Sequence, residues 1–231
     1  MRYISLFITI AIVFAGLILI KQNQTADSLE EEELVALGDS LTYGVGEAGH
    51  GYVDDLQHSF SKNHPGRLVV HNYGIPGQQS DGLLLQLQKK QVQKSIADAD
   101  YIIIFIGTND LLKHNGNDLH PIYEKKIQNG KADYTKNVKK ILTFIRKENP
   151  DAPVLYLGLY NPLPDNQKIG GIVKKWNDTS KNVISEYPRT KFIATDEIFK
   201  EKSGEFFSDA LHPNKRGYQL ITKKIIEEYD F

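Results

Sequence analysis

Apolar positions along this chain follow two alternating patterns. Short β-branched or continuously apolar runs lie at Leu34–Leu37, Arg67–Tyr73, Tyr101–Ile106, Val154–Tyr160 and Lys191–Ala194, and each reads as a strand. The third of these is apolar throughout, as a strand buried on both faces must be. Between them, apolar residues recur at helical spacing over Tyr52–Asn63, Ser80–Ser95, Ala132–Glu148, Gly171–Glu186 and Asn214–Tyr229. Asn149-Pro150 and Tyr187-Pro188 mark helix ends, and His212-Pro213 puts a proline near a helix start. A strict β–α alternation predicts an α/β fold: a three-layer α/β/α sandwich on a five-stranded parallel sheet in the flavodoxin-like order. One segment departs from the rhythm. Residues 111–131 are polar and contain Gly116, Pro121 and Gly130, so they read as an extended loop or a loop with one helical turn. Such a loop forms either a wall or lid over a site or a mobile surface excursion.

The first twenty residues follow neither pattern. Arg2 precedes an uncharged run from Tyr3 to Ile20, and Lys21 ends it. That length lies between a signal-peptide core and a membrane span, so residues 1–21 are expected to be a signal peptide or an N-terminal membrane anchor. Residues 22–32 read as a polar and acidic linker. Either reading puts the domain outside the cytoplasm, held to the membrane by the N-terminal helix or secreted after cleavage. The remaining length suits one α/β domain.

Composition narrows the chemistry. The chain has 28 basic and 29 acidic side chains, a formal net charge of -1 and no basic block, so nucleic acid is not an expected partner. It has no cysteine, which removes disulfides, thiolate metal sites and a cysteine nucleophile. His50, His58, His64 and His71 are scattered without a dense ligand pattern, and no metal or cofactor is expected. Gly44-Val45-Gly46-Glu47-Ala48-Gly49 satisfies a dinucleotide fingerprint, but its first glycine comes several residues after the strand. The second strand also ends in Asn72-Tyr73-Gly74, without an acidic residue for a ribose. The glycines are therefore expected to form a flexible loop. Trp176 lies on a helical stretch and reads as packing.

What remains is a set of polar residues at strand ends, where open α/β sheets place their sites. Ser40 follows the first strand, Gly77 the second and Asn109 the third. His212 follows a carboxylate, Asp209, by three residues and precedes the proline of a helix start. One turn would let Asp209 hold the Nδ1 proton while Nε2 takes the proton of Ser40. The Ser40 and Gly77 amides and the Asn109 side chain are candidate donors to an oxyanion. Asp39, Tyr160 and Asn161 are further candidate substrate contacts. Position 42 is Thr, so the Gly-x-Ser-x-Gly elbow of the α/β-hydrolases is missing.

Four motifs in this order resemble the SGNH/GDSL hydrolases, a superfamily of esterases, lipases and acylhydrolases. They are Gly38-Asp39-Ser40-Leu41, Asn72 through Gly77, Gly107-Thr108-Asn109-Asp110, and Asp209-Ala210-Leu211-His212. The resemblance covers residues 33–231. It implies Ser40 as nucleophile, Gly77 and Asn109 as oxyanion donors, and Asp209 and His212 as the rest of a triad. It also implies a substrate that is a carboxylic ester, either a lipid acyl ester or an acylated carbohydrate. The competing expectation is a surface module that keeps the fold and binds acylated glycans or lipids without turning them over.

Overall fold

The computed structural model describes residues 31–118, 120–199 and 205–231. The expected signal peptide or anchor, 1–21, lies outside them, as does most of the expected linker. No helix among the described residues is long and apolar enough to cross a membrane.

Five parallel strands form one sheet: β1 (Glu31–Gly38), β2 (Arg67–Gly74), β3 (Tyr101–Phe105), β4 (Val154–Leu157) and β5 (Thr190–Ile193), in the order β2-β1-β3-β4-β5. Side chains alternate between its two faces. Val35, Leu37, Ile102, Ile104, Val154 and Tyr156 point into one core layer. There they meet α3 (Ser80–Gln86), α4 (Lys90–Asp98), α6 (Glu124–Glu148) and α7 (Gln167–Ile184). Leu34, Ala36, Ile103, Phe105, Leu155 and Leu157 point into the other, against α2 (Tyr52–Asn63) and α8 (Lys215–Glu228). Burial of the central strands on both faces explains why Tyr101–Ile106 carries no polar residue. The remaining helices are short: α1 (Ser40–Tyr43) follows β1 and α5 (Thr108–His114) follows β3.

The register matters most for function. Gly38 pairs with Gly74 on one side and with Phe105 on the other, so three strands end level with one another. The chain leaves β1 toward β2 and leaves β3 toward β4. The loops after β1 and β3 therefore diverge and open a crevice at the switch point of the sheet.

Several boundaries differ from the sequence expectation. β1 starts at Glu31, inside the expected linker. Its acidic end is held by Asp100, whose carboxylate accepts the Glu33 N–H at 2.8 Å, and by a contact between His71 and Glu33. The expected helix over Ser80–Ser95 is two helices, because the N–H groups of Gln88 and Lys89 bond three residues back and tighten the turn. No glycine or proline marks that break. Most of the expected 111–131 loop is helical: α5 runs to His114, and α6 starts at Glu124 rather than Ala132. Gly130, which reads as a loop residue, sits inside α6 because the His114 ring packs there; a Cβ would lie 2.1 Å from His114 Cγ.

Asn149, in the expected helix stop, does more than end α6. Its Nδ2 donates to the carbonyls of Ile96 and Ala99, while Oδ1 accepts from the N–H groups of Asp151 and Ala152. It is buried, so removing it leaves several backbone groups unpaired. Asn149→Ala is expected to lower the unfolding free energy by at least about 2 kcal/mol. Urea denaturation measures this, and a loss below about 0.5 kcal/mol would contradict the role.

Candidate active site

Ser40 is the first residue of α1, and its position is set by the buried Asp39, which accepts the Leu41 N–H at 3.0 Å. From the far end of the chain, His212 Nε2 lies 2.9 Å from Ser40 Oγ. On the other side of the ring, Nδ1 lies 2.7 Å from Asp209 Oδ2. An ionised carboxylate can only accept, so Nδ1 carries the proton and Nε2 turns a lone pair to the serine hydroxyl. The second carboxylate oxygen, Oδ1, accepts the N–H groups of Leu211 and His212, each at 2.7 Å. Burial pushes the Asp209 carboxyl up, but these N–H donors and the imidazole outweigh it and hold the group below its ordinary value.

The turn carrying His212 is tied down on every side. Its carbonyl accepts from the Ser208 N–H at 2.9 Å and the Ser208 hydroxyl at 3.1 Å. Phe207 and Pro213 form an antiparallel bridge, and Asn214 caps α8 by accepting from Gly217. The buried Tyr160 donates its hydroxyl to the Leu211 carbonyl at 2.6 Å. The Gly44–Gly49 segment, expected to be flexible, is likewise held: Val45 N–H donates to Ser40, and the Val45 carbonyl accepts the Tyr218 hydroxyl at 2.6 Å.

The three expected donors follow three adjacent strands, Ser40 after β1, Gly77 after β2 and Asn109 after β3. Among the described residues, neither the Ser40 nor the Gly77 N–H donates to a protein acceptor. Gly77 has φ +78°, which any other residue adopts only with strain, and a Cβ there would meet nothing within 4 Å. The Asn109 Nδ2 donates to Asp39 Oδ2 at 3.2 Å and to the Gln78 carbonyl at 3.1 Å. Both hydrogens are thus occupied by long bonds, so an oxyanion would have to share one of them.

The four motifs recover a known pattern across the chain: a model of the GDSL-like lipase/acylhydrolase family matches residues 36–220. The chain belongs to that family. Among individual relatives, the uncharacterized protein YpmR of Bacillus subtilis is 35% identical over 203 residues, covering 84% of this chain and 80% of its own length. The spore germination lipase LipC of Bacillus licheniformis is 29% identical, with 84% and 94% covered. Of solved structures, the lipase Lip_vut3 from a goat rumen metagenome superposes with a TM-score of 0.77 at 27% identity, covering 85% of this chain and 96% of its own. The acetylxylan esterase Axe2 of Geobacillus stearothermophilus shares the fold, with a TM-score of 0.70 at 20% identity and 87% and 94% covered.

Within this GDSL-like chain, not every residue singled out in the sequence faces the crevice. Ser40, His212 and Asp209 are in direct contact, Tyr160 reaches the His212 turn through Leu211, Asn109 is tied to the Ser40 turn through Asp39, and Gly77 precedes the Gln78 that Asn109 bonds. Asp39 does not offer itself to a substrate: it is 1% exposed and bonded to Leu41 and Asn109. Asn161 turns its Oδ1 to the Leu163 N–H, which makes it a turn residue. Two contributors were not foreseen. Asp110 is buried and accepts the Ser80 N–H at 2.9 Å as well as its hydroxyl, anchoring the start of α3. Gln78 holds Asn109 through its carbonyl and bonds Gly38 and Gln86 through its side chain. Asp110 had a signal, since it stands beside Asn109 in the third motif; Gln78 had none beyond following Gly77.

The histidines outside the site have other partners. His50 pairs with Asp54, and His64 stacks on Phe60. Trp176 is buried against Tyr134, as its helical position implied.

Burial, reinforced by nearby Asp110 and opposed by the Leu41 and Asn109 bonds, pushes the Asp39 carboxyl up to about 7. An unfolded aspartate loses its proton near pH ~4. Between those values the folded chain holds a proton that the unfolded chain has lost, so this group lowers stability as pH rises through the window. The unfolding free energy of the wild type, measured against Asp39→Asn, is expected to fall between pH 5 and 7 by up to about 1.4 kcal/mol per unit. Denaturation at several pH values checks this; a constant difference would contradict it.

Proposed function

We propose that the chain hydrolyses carboxylic esters through an acyl-enzyme on Ser40. The observation that carries this reading is the unbroken relay from Asp209 through His212 to Ser40, with contacts of 2.7 and 2.9 Å. In it, Ser40 Oγ bonds to the ester carbonyl carbon while its proton passes to His212 Nε2. The carbonyl electron pair moves onto oxygen, where the Ser40 and Gly77 N–H groups and a shared Asn109 hydrogen receive it. Collapse breaks the bond to the alcohol, which leaves with the proton from His212. Water then repeats the sequence and frees the acid. Asp209 keeps the imidazole in the required tautomer and stabilises it when charged. Lipases among the relatives at 27–29% identity favour acyl esters as the substrate class.

Hydrolysis of p-nitrophenyl esters tests the reading. Ser40→Ala and His212→Ala are expected to lose on the order of 10⁶ in turnover, as members of one unit. Asn109→Ala is expected to lose about 10²–10³, the effect of one oxyanion donor. Unchanged turnover in Asn109→Ala would remove it from the mechanism, and full turnover in Ser40→Ala would overturn the reading. Residues 1–21 are proposed to export the domain, on the strength of the uncharged run from Tyr3 to Ile20. Protease accessibility on intact cells is expected for the full chain, and protection identical to that of a cytoplasmic marker would contradict export.

A further inference from the structure

Three residues of α6, Gly130, Tyr134 and Asn137, follow helical spacing along one face, and each meets a different part of the segment that carries Asn109. At Gly130 the missing side chain leaves room for the His114 ring, whose Nδ1 donates to the Asp110 carbonyl at 2.8 Å. At Gly107 the backbone has φ +125°, and a Cβ there would lie 2.8 Å from Tyr134 Cε2, so the tyrosine ring fills the space beside the turn. Asn137 Nδ2 donates to Ser80 Oγ at 3.0 Å, and that hydroxyl donates in turn to the Asp110 carboxylate. The Tyr134 ring is itself pinned at its tip. Its hydroxyl lies 2.6 Å from the Tyr156 hydroxyl of β4 and 2.7 Å from the Ser180 hydroxyl of α7. Backbone carbonyls close both ends of this buried chain: Trp176 lies 3.2 Å from Ser180 Oγ, and Ile106, the residue before Gly107, lies 3.3 Å from Tyr156 Oη.

We infer that this stripe of α6 is the template that places Asn109, which makes Tyr134 and Asn137 positioning residues for the proposed stabilisation of the oxyanion. The inference rests on the esterase reading for what Asn109 does and on these contacts for where it sits. Asp39 and Gln78 hold only the end of the Asn109 side chain. The backbone beneath it enters through a glycine conformation that other residues adopt only with strain, then continues as α5, a helix of seven residues. A helix that short does not persist in water by itself and takes its place from what it packs on. Here that support is α6. Because both Asn109 hydrogens are already in long bonds, a small shift of the turn changes how much of one is left to share with an oxyanion. Removing the Tyr134 hydroxyl leaves two hydroxyl hydrogens for two carbonyls, so Tyr134→Phe frees the ring without stranding a buried donor.

The test measures kcat and KM for p-nitrophenyl butyrate with the full chain. Tyr134→Phe and Asn137→Ala are each expected to lower kcat by about tenfold or more. KM is expected to stay within about twofold, because the oxyanion forms only beyond the ground state. In an Asn109→Ala background each is expected to cost less than about twofold, since it acts through the residue already removed. Tyr187→Phe is the control: it removes a hydroxyl that bonds α6 at the Lys139 carbonyl rather than at the stripe, and kcat is expected to stay within about twofold. Losses that add in full to that of Asn109→Ala, or an equal loss in Tyr187→Phe, overturn the inference while leaving the esterase reading intact. A wild type that cleaves no ester defeats the esterase reading instead, and the placement is then read by NMR. The side-chain amide signals of Asn109, assigned by their disappearance in Asn109→Ala, are expected to shift in Tyr134→Phe and Asn137→Ala and to stay in place in Tyr187→Phe. Signals unmoved in the first two variants overturn the inference.

Discussion

The carboxyl of Asp39 joins the two halves of this site, and the rest of the arrangement depends on it. The loops after β1 and β3 diverge at the switch point of the sheet, and the last backbone bond between them, from the Asp39 N–H to the Phe105 carbonyl at 3.3 Å, stops short of Ser40 and Asn109. The Asp39 carboxyl ties these two with one oxygen on the α1 turn and the other on the Asn109 amide. It is buried beside a second carboxyl, Asp110, which secures the next helix. Burying an acid without a cation is costly, and the protein meets that cost by raising the group's affinity for a proton and by satisfying both oxygens. The resulting clamp holds the Ser40 turn and the Asn109 amide together, a fixed placement that the proposed stabilisation of an oxyanion would require.

Around that clamp, the sheet acts as a ruler. Gly38, Gly74 and Phe105 end in register, so three loops reach the same level of one edge. His212 comes from the other end of the chain and needs a different solution. Its turn is bonded to Ser208, bridged at Phe207–Pro213 and held by the Tyr160 hydroxyl. Relays of this kind fail if one member drifts by an ångström, and the density of bonds on a turn otherwise free to move reflects that demand.

Much of this was legible in the sequence, for identifiable reasons. Five short apolar runs separated by helical periodicity specify a parallel sheet, because burial on both faces forbids polar residues in the central strands. The polar residues just past those runs were then the candidate site, and the short Asp209–His212 spacing implied a local pair. Less legible were features that depend on tertiary contact. The break between α3 and α4 has no glycine or proline to announce it. Gly130 looked like a loop residue, although it is a helical position made small by the His114 ring. Asp39 read as a substrate contact, and only its burial shows that it faces inward. Gln78 acts through its backbone carbonyl, which side-chain identity cannot reveal.

The central claim is that His212 and Asp209 make the Ser40 hydroxyl nucleophilic. Its most direct measurement is labelling of the full chain with a fluorophosphonate, followed by peptide mass mapping. The account predicts one adduct, on Ser40, formed in the wild type and slowed by several orders of magnitude in His212→Ala. An unlabelled Ser40 in folded protein, or equal labelling in His212→Ala, would contradict it.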